Sequence, residues 1–306
     1  MSLLAVGTVA FDDIETPFGR AERAIGGAAT YITLAASYFV DQLMLVSVVG
    51  DDFPQAELDE LQRRGIDLEG LQIRPGEKSF FWSGRYHYNM NERDTLDTQL
   101  NVLADFQPQL PPAYRKAEYL MLGNLVPGVQ REVIRQMDAR PRLVGLDTMN
   151  FWMEHEMDGL REVLREIDVL IINDEEAREL SGEHSLVKAA EAIEGMGPRF
   201  VLIKKGENGA LLFEGKQVFF APALPLAEVF DPTGAGDTFA GGFMGYLART
   251  GDLSFENFKR AVIYGSAMAS FCVEKFSIQR LKELDQATID ERVRRFADLV
   301  HFNTGR

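Results

Sequence analysis

Short apolar, β-branched runs alternate with helix-like stretches along most of this 306-residue chain, and that alternation is what most narrows its fold. LLAVGTV, AATYITLAASYF, LMLVSVVG and PQAELDELQRRG read as strand, helix, strand, helix. The series resumes with AEYLMLGNL, QREVIRQMDA, RLVGLDT, MDGLREVLREI, DVLIIN, LVKAAEAIEGM and FVLIKKG before a largely helical C-terminal third. This is the pattern of a parallel sheet with helical crossovers. The runs are apolar throughout, as expected when helices cover both faces of the sheet. One region departs. From Leu71 to about Leu103 helical periodicity is missing; Phe80, Trp82, Tyr86 and Tyr88 fall on one strand face, and Phe81, Ser83, Arg85 and His87 on the other. It reads as an inserted antiparallel flap whose aromatic face covers the core, lids a ligand or meets a second subunit. No internal repeat, low-complexity tract or linker interrupts the chain.

Composition excludes several function classes. A hydrophobic content of 46% supports a sizeable core. The net charge of −15 argues against nucleic acid and anionic membranes, whose binding draws on clustered Lys and Arg. An anionic ligand would therefore be held by local features against an unfavourable long-range field. The single cysteine, Cys272, rules out an internal disulfide and sits in an apolar stretch as buried filler. The N-terminus lacks the pattern of a signal peptide, and the longest apolar region, Ile32 to Val49, is broken by Asp41 and Gln42. A cytoplasmic protein without a membrane segment is expected. His87, His155, His184 and His301 show no metal-ligand spacing, so zinc is not expected.

The stretch DPTGAGDTFAGGF, from Asp231, carries the chemistry. Gly234, Ala235 and Gly236 precede a helix-compatible run, so their amides would face outward at a helix N-terminus, where an anion is favoured. Asp237 would repel such an anion; unless it merely caps the helix, it is there to accept a proton. Amides stabilising a transferring phosphoryl group beside a carboxylate that takes an alcohol's proton suit phosphoryl transfer. Taken alone, the stretch reads equally as an N-cap preceded by a turn. No GxxxxGK[ST] sequence occurs, and Phe239 stands where a dinucleotide fingerprint would need its third glycine.

DPTGAGDTFAGGF closely resembles the C-terminal signature of the PfkB carbohydrate kinases, and other matches follow in that family's order: GTVAFD, ending in Asp12; IGGAAT, with Gly26 and Gly27; SVVGDDF; RRGIDLEG; NDEEARELSG, with Asn173 and Glu176; and VLIKKGENGALL, with Gly206 and Gly209. The resemblance implies a ribokinase-like α/β fold: a central mostly parallel β-sheet flanked by helices in a single domain spanning 1–306, with a small β lid formed by about 14–25 and 71–103. It implies Asp237 as general base, with Gly234, Ala235 and Gly236 in an anion hole. ATP would lie near Lys204, Gly206, Gly209 and Thr233, Mg2+ near Asn173 and Glu176, and a monovalent cation, K+, at Asp231. Asp12, Gly26, Gly27 and Tyr31 would face the substrate, with Asp12 and Asp13 at the end of the first strand.

Two departures bear on the acceptor. Tyr31 stands where the family usually has Asn, replacing a two-way amide with a hydroxyl on a flat ring. In LDTMNFW, Asp147 and Asn150 match a family pattern but the Arg often found after that Asn is absent, so no catalytic role is carried onto this loop. The expected reaction is ATP-dependent phosphorylation of a hydroxyl on a small sugar or polyol. Two alternatives stay open: a nucleoside or vitamin-like heterocycle kinase, with Trp82, Tyr86 or Tyr31 stacking on the ring, and a non-catalytic metabolite sensor. A homodimer through the lid is also expected.

Overall fold

Alternate side chains of the strands bury into opposite layers. In β1 (Ser2–Val6), Leu3 and Ala5 join one apolar core while Leu4 and Val6 join another. The same division recurs in β4 (Gln42–Gly50), where Leu43 and Leu45 oppose Met44 and Val46. Strands fully buried on both faces need helices on both sides, which is why their sequences are uniformly apolar. The computed structural model describes residues 1–301 and 303 and places these strands, in the order β13-β12-β11-β10-β9-β8-β1-β4-β5, in one nine-stranded sheet. The others are β5 (Ile66–Arg74), β8 (Tyr119–Leu122), β9 (Leu143–Asp147), β10 (Val169–Asn173), β11 (Phe200–Lys204), β12 (Ala210–Glu214) and β13 (Gln217–Ala221). All pairings are parallel except those of β12 with β11 and β13.

On one face the helices Ala28–Ala36, Ala235–Thr250 and Phe255–Cys272 pack closely. A Cβ on Gly241 would lie 2.3 Å from the Ile32 carbonyl oxygen, so the Ala235–Thr250 helix approaches its neighbour as only glycine permits. Helices Pro127–Gln136, Met157–Leu164, Asp174–Ser181 and Leu186–Glu194 contribute apolar side chains to the other core. Among the described residues, no helix is long and apolar enough to cross a membrane.

A second sheet, ordered β3-β2-β6-β7, stands apart from the first. It comprises β2 (Ala10–Thr16), β3 (Gly19–Gly26), β6 (Phe80–Tyr86) and β7 (Arg93–Gln99). Four expectations need correction. Asp12 and Asp13 lie within β2 of this sheet and not at the end of β1. Residues 71–74 belong to β5, an edge strand of the main sheet. The flap is not wholly antiparallel either, since β2 and β6 run parallel, from Ala10 beside Phe80 to Glu15 beside Arg85. Nor is the aromatic face continuous: β6 ends at Tyr86, and Tyr88 is 85% exposed beyond it.

Candidate active site

In open parallel sheets ligands collect outside the carboxyl ends of the strands, and here three neighbouring strands end in polar residues. Asp147 closes β9, Asn173 closes β10 and Lys204 closes β11, with Asn173 in register beside Lys204. Lys204 Nζ pairs with Asp147 Oδ2 at 3.0 Å, both side chains largely buried. Burial works against the lysine's charge, yet Asp147 and Glu176 hold its pKa above the ordinary value. Asp147 is the residue that sequence reasoning named without giving it a role; its signal was its place at the end of a strand, in register with Ile171, two residues short of Asn173.

Asn173 and Glu176 form a capping box on the Asp174–Ser181 helix. Glu176 N–H donates to Asn173 Oδ1 at 2.8 Å, and Asn173 N–H donates to Glu176 Oε2 at 2.7 Å. Glu176 is buried, which pushes its pKa up to about 7 despite Lys204. Its local role is thus a helix cap, and that bond leaves its other carboxylate oxygen over. Among the described residues no group of three or more His, Cys, Asp or Glu converges as a metal cage. This donor set suits Mg2+ that keeps several waters and is held chiefly by phosphates.

Opposite these strand ends the Ala235–Thr250 helix begins. Gly234, its N-cap, has φ 75°, and a Cβ there would lie 2.3 Å from the Tyr31 ring. Left-handed backbone and ring contact both require glycine. Asp237 lies in the first turn. Burial and then Asp147 push its pKa up to about 7, while Lys204 and Arg93 oppose the shift. Lys204 also lies against Gly236, where a Cβ would come 2.9 Å from Nζ. The Gly234–Gly236 loop, the candidate base and the strand-end cation therefore meet at one place.

Asp231 anchors the loop from behind. It is 1% exposed and accepts Thr233 N–H at 2.9 Å and Ser277 N–H at 2.8 Å; burial raises its pKa against these bonds. Thr233 also donates its hydroxyl to the Tyr86 phenolic oxygen at 3.2 Å, joining the loop to the second sheet. Burial pushes the Tyr86 pKa up to about 12. Cys272 is fully buried, with Sγ 3.5 Å from the Thr233 carbonyl oxygen.

From the second sheet comes Asp12, 5% exposed, whose carboxylate lies directly over Gly26, where a Cβ would be 1.9 Å from Oδ2. Burial, then Asp231 and Asp237, push its pKa up to about 8, against the N–H of Gly27. Gly27, at φ 92°, lies against the Thr8 carbonyl and starts the Ala28–Ala36 helix. Tyr31 is 1% exposed, and its buried hydroxyl has no hydrogen-bond partner among the described residues. Burial raises its pKa well above the ordinary value, with Cys272, Asp231 and Asp12 adding to the shift.

Not every sequence candidate joins this cluster. Gly206 begins the β11–β12 turn at φ 53°, its Cβ position 2.6 Å from Asn91 Oδ1 of the second sheet's tip. Gly209, at φ 82°, instead lies against the Ala221 carbonyl, a packing requirement of the antiparallel strands. The Trp82 ring folds back over Gly84 on its own strand. Asp13 accepts the backbone N–H of Arg23 at 2.6 Å.

Residues 6–284 match the model of the pfkB family carbohydrate kinases. The chain is 30% identical over 255 residues to a cytidine kinase from Thermococcus kodakarensis, covering 81% of this chain and 89% of that one. Its fold is similar to that of Methanocaldococcus jannaschii nucleoside kinase, an archaeal member of the ribokinase family, with TM-score 0.76, 19% identity and coverage of 96% and 99%. It is also similar to a fructokinase double mutant from Vibrio cholerae bound to fructose, ADP and potassium ion, with TM-score 0.79, 20% identity and coverage of 96% and 98%. The fold is ribokinase-like, and the chain belongs to the pfkB family of carbohydrate kinases, phosphotransferases whose acceptor is a hydroxyl group.

Proposed function

We propose that this protein transfers the γ-phosphoryl group of ATP to a hydroxyl on the sugar of a nucleoside, with Asp237 as general base. The observation that carries the reading is the approach of Asp12, from the second sheet, to the Gly234–Gly236 helix start and Asp237. Asp12 would accept hydrogen bonds from acceptor hydroxyls, orienting one of them toward Asp237. As the acceptor oxygen bonds to the γ-phosphorus and the bond to the β-phosphate oxygen breaks, the acceptor's proton passes to Asp237 and ADP leaves. The amides of Ala235, Gly236 and Asp237 would meet the developing charge.

ATP and Mg2+ are typical of pfkB kinases. Mg2+ would supply charge neutralisation at the phosphates, with Asn173 and Glu176 holding its waters. Lys204 and Gly206 would lie along the nucleotide; Thr233 would shape the loop, and Gly209 would keep the turn in place. The nucleoside is preferred over a free sugar because the cytidine kinase shares 30% of its residues with this chain over most of both lengths. Tyr31 would shape the pocket from beneath the loop, since it is fully covered there. A sensor that has lost turnover is disfavoured because Asp237 and the glycine loop are both in place.

The test is ADP release from Mg-ATP over a panel of nucleosides, sugars and polyols, with Asp237→Asn in parallel. A signal driven by cytidine or a related nucleoside, and lost by roughly 100-fold or more in the variant, is expected. A signal driven only by free sugars would return the acceptor to the sugar class, and full activity in the variant would remove the base assignment.

Two further proposals attach to this reading. Asp231 supports a K+ site beside the anion loop, in line with the potassium-bound fructokinase of the same fold; equal rates in sodium and potassium buffers would remove it. β7 is an edge strand with every residue exposed, including Leu96 at 51%, which supports a homodimer through the lid. A monomer mass by light scattering across micromolar concentrations would remove that.

A further inference from the structure

The second sheet carries an arginine at the end of the hairpin that is fastened to the Thr233 loop. β6 ends at Tyr86, whose phenolic oxygen receives the Thr233 hydroxyl at 3.2 Å, so the end of this strand is fastened to the anion loop. The residue opposite Tyr86 across the hairpin is Arg93, the first of β7. The turn between them reaches on to Gly206, where Asn91 Oδ1 abuts the glycine. The hairpin tip therefore spans the ground from the Thr233 loop to the β11 turn, with Arg93 at its base.

Charge at this place is unbalanced. Asp237, Glu176 and Asp147 converge there with Lys204, and Lys204 is committed to Asp147 at 3.0 Å. A phosphoryl group arriving beside these carboxylates would find Lys204 already paired with Asp147. Arg93 has no ion-pair or hydrogen-bond partner for its guanidinium among the described residues; its only contact of note is with the Trp82 ring, 5.9 Å from the centroid. Its charge is nonetheless felt at Asp237, Glu176 and Tyr86, whose pKa values it lowers.

We propose that Arg93 is a catalytic residue, the cation carried on the lid that meets the γ-phosphoryl group in transfer, so that docking of the hairpin on Thr233 completes the reaction centre. The inference rests on the kinase reading above. The step is the one already written: the acceptor oxygen joins the γ-phosphorus, the bond to ADP breaks and the proton goes to Asp237. Arg93 neutralises charge on the equatorial oxygens and takes no proton, because guanidinium stays protonated. Placing this cation on a hairpin that stands apart from the main sheet ties turnover to closure, since an open lid leaves the phosphoryl group among carboxylates.

The experiment compares the parent with Arg93→Ala, Arg93→Lys and Asp237→Asn, measuring kcat, acceptor KM, melting temperature and the effect of added guanidinium ion. An arginine supplied to a phosphoryl group contributes about 1,000-fold or more to kcat in the best-studied phosphotransfer systems. Arg93→Ala is expected to lose roughly 100-fold or more in kcat, with acceptor KM and melting temperature unchanged. Arg93→Lys should recover part of the loss, and guanidinium should partly restore Arg93→Ala but not Asp237→Asn. A kcat within about threefold of the parent, a loss that tracks acceptor KM or melting temperature, or a loss untouched by both lysine and guanidinium overturns the proposal. If Asp237→Asn stays active the base assignment fails; if only Arg93→Ala does, this inference fails alone.

Discussion

A carboxylate serves as a base at neutral pH when its surroundings make its charge somewhat costly, and Asp237 is placed so. Burial and Asp147 push its pKa up to about 7, and Lys204 and Arg93 keep it from rising further. The base works deprotonated, so kcat/KM should rise with pH, by about tenfold per unit below 7, and level off above it. Lys204→Met removes an opposing cation and should move this limb to higher pH; a limb that stays in place would show that Lys204 does not set the charge of Asp237. The same environment weakens the fold. Asp12 has its pKa pushed up to about 8 from an ordinary 3.8, so between those values the folded state binds the extra proton. Stability from this group is therefore present below pH 3.8 and lost as pH rises toward 8. Asp12→Asn should raise the melting temperature at pH 8 by about 2 °C or more, have little effect near pH 4, and abolish turnover. A gain over the parent no larger at pH 8 than at pH 4 would contradict the assignment. At this scale the sequence named Asp12 and Asp237 through their motifs. It gave no sign of Arg93, because an arginine in a polar hairpin reveals neither its cross-strand partner nor its lack of an ion pair.

Elements are legible where one physical pattern dominates. The apolar runs marked β1, β4, β8, β9, β10 and β11 because burial on both faces leaves no room for polar residues. The lid was harder. β2 and β6 are separated by more than 60 residues and pair in parallel, a register written in no local turn, and β5 blends into the lid segment because both are half-exposed. The helix start behind Gly234 shows the opposite case, a local signal with a tertiary cause. The motif's glycine is needed for its φ of 75° and also because the Tyr31 ring lies where a Cβ would go. Left-handed backbone alone costs about 1–2 kcal/mol for an L-residue. Gly234→Ala must also move a fully buried tyrosine beneath the anion loop. We expect it to lose roughly tenfold or more in kcat with its circular dichroism unchanged; near-parental kcat would show that the loop tolerates displacement.

At the scale of the whole molecule the proposed mechanism would divide the work between the two sheets, and neither would hold a complete site. The main sheet and its helices supply Asp237, Lys204 and Glu176; the second supplies Asp12, Tyr86 and Arg93. The second sheet is the looser partner, because every residue of β7 is exposed while β8 and β9 are wholly buried. Local opening free energies follow that kind of difference, so exchange of amide hydrogens should be fastest in the lid of the free protein. An acceptor held between Asp12 and Asp237, with a nucleotide beneath Arg93, would tie the sheets together. Ligands present at about 100 times their dissociation constant add about 2.7 kcal/mol to the stability of the state that binds them. Nucleoside and a non-hydrolysable ATP analogue together should therefore slow exchange in residues 86–93 by roughly 100-fold and leave the Gln286–Val300 helix, whose Arg292 bonds to Ser270 and Glu274, little changed. Slowing confined to the turn after β11, with residues 86–93 unaffected, would mean that nucleotide binds without the lid, and that the hairpin docks on Thr233 for packing and not for reaction.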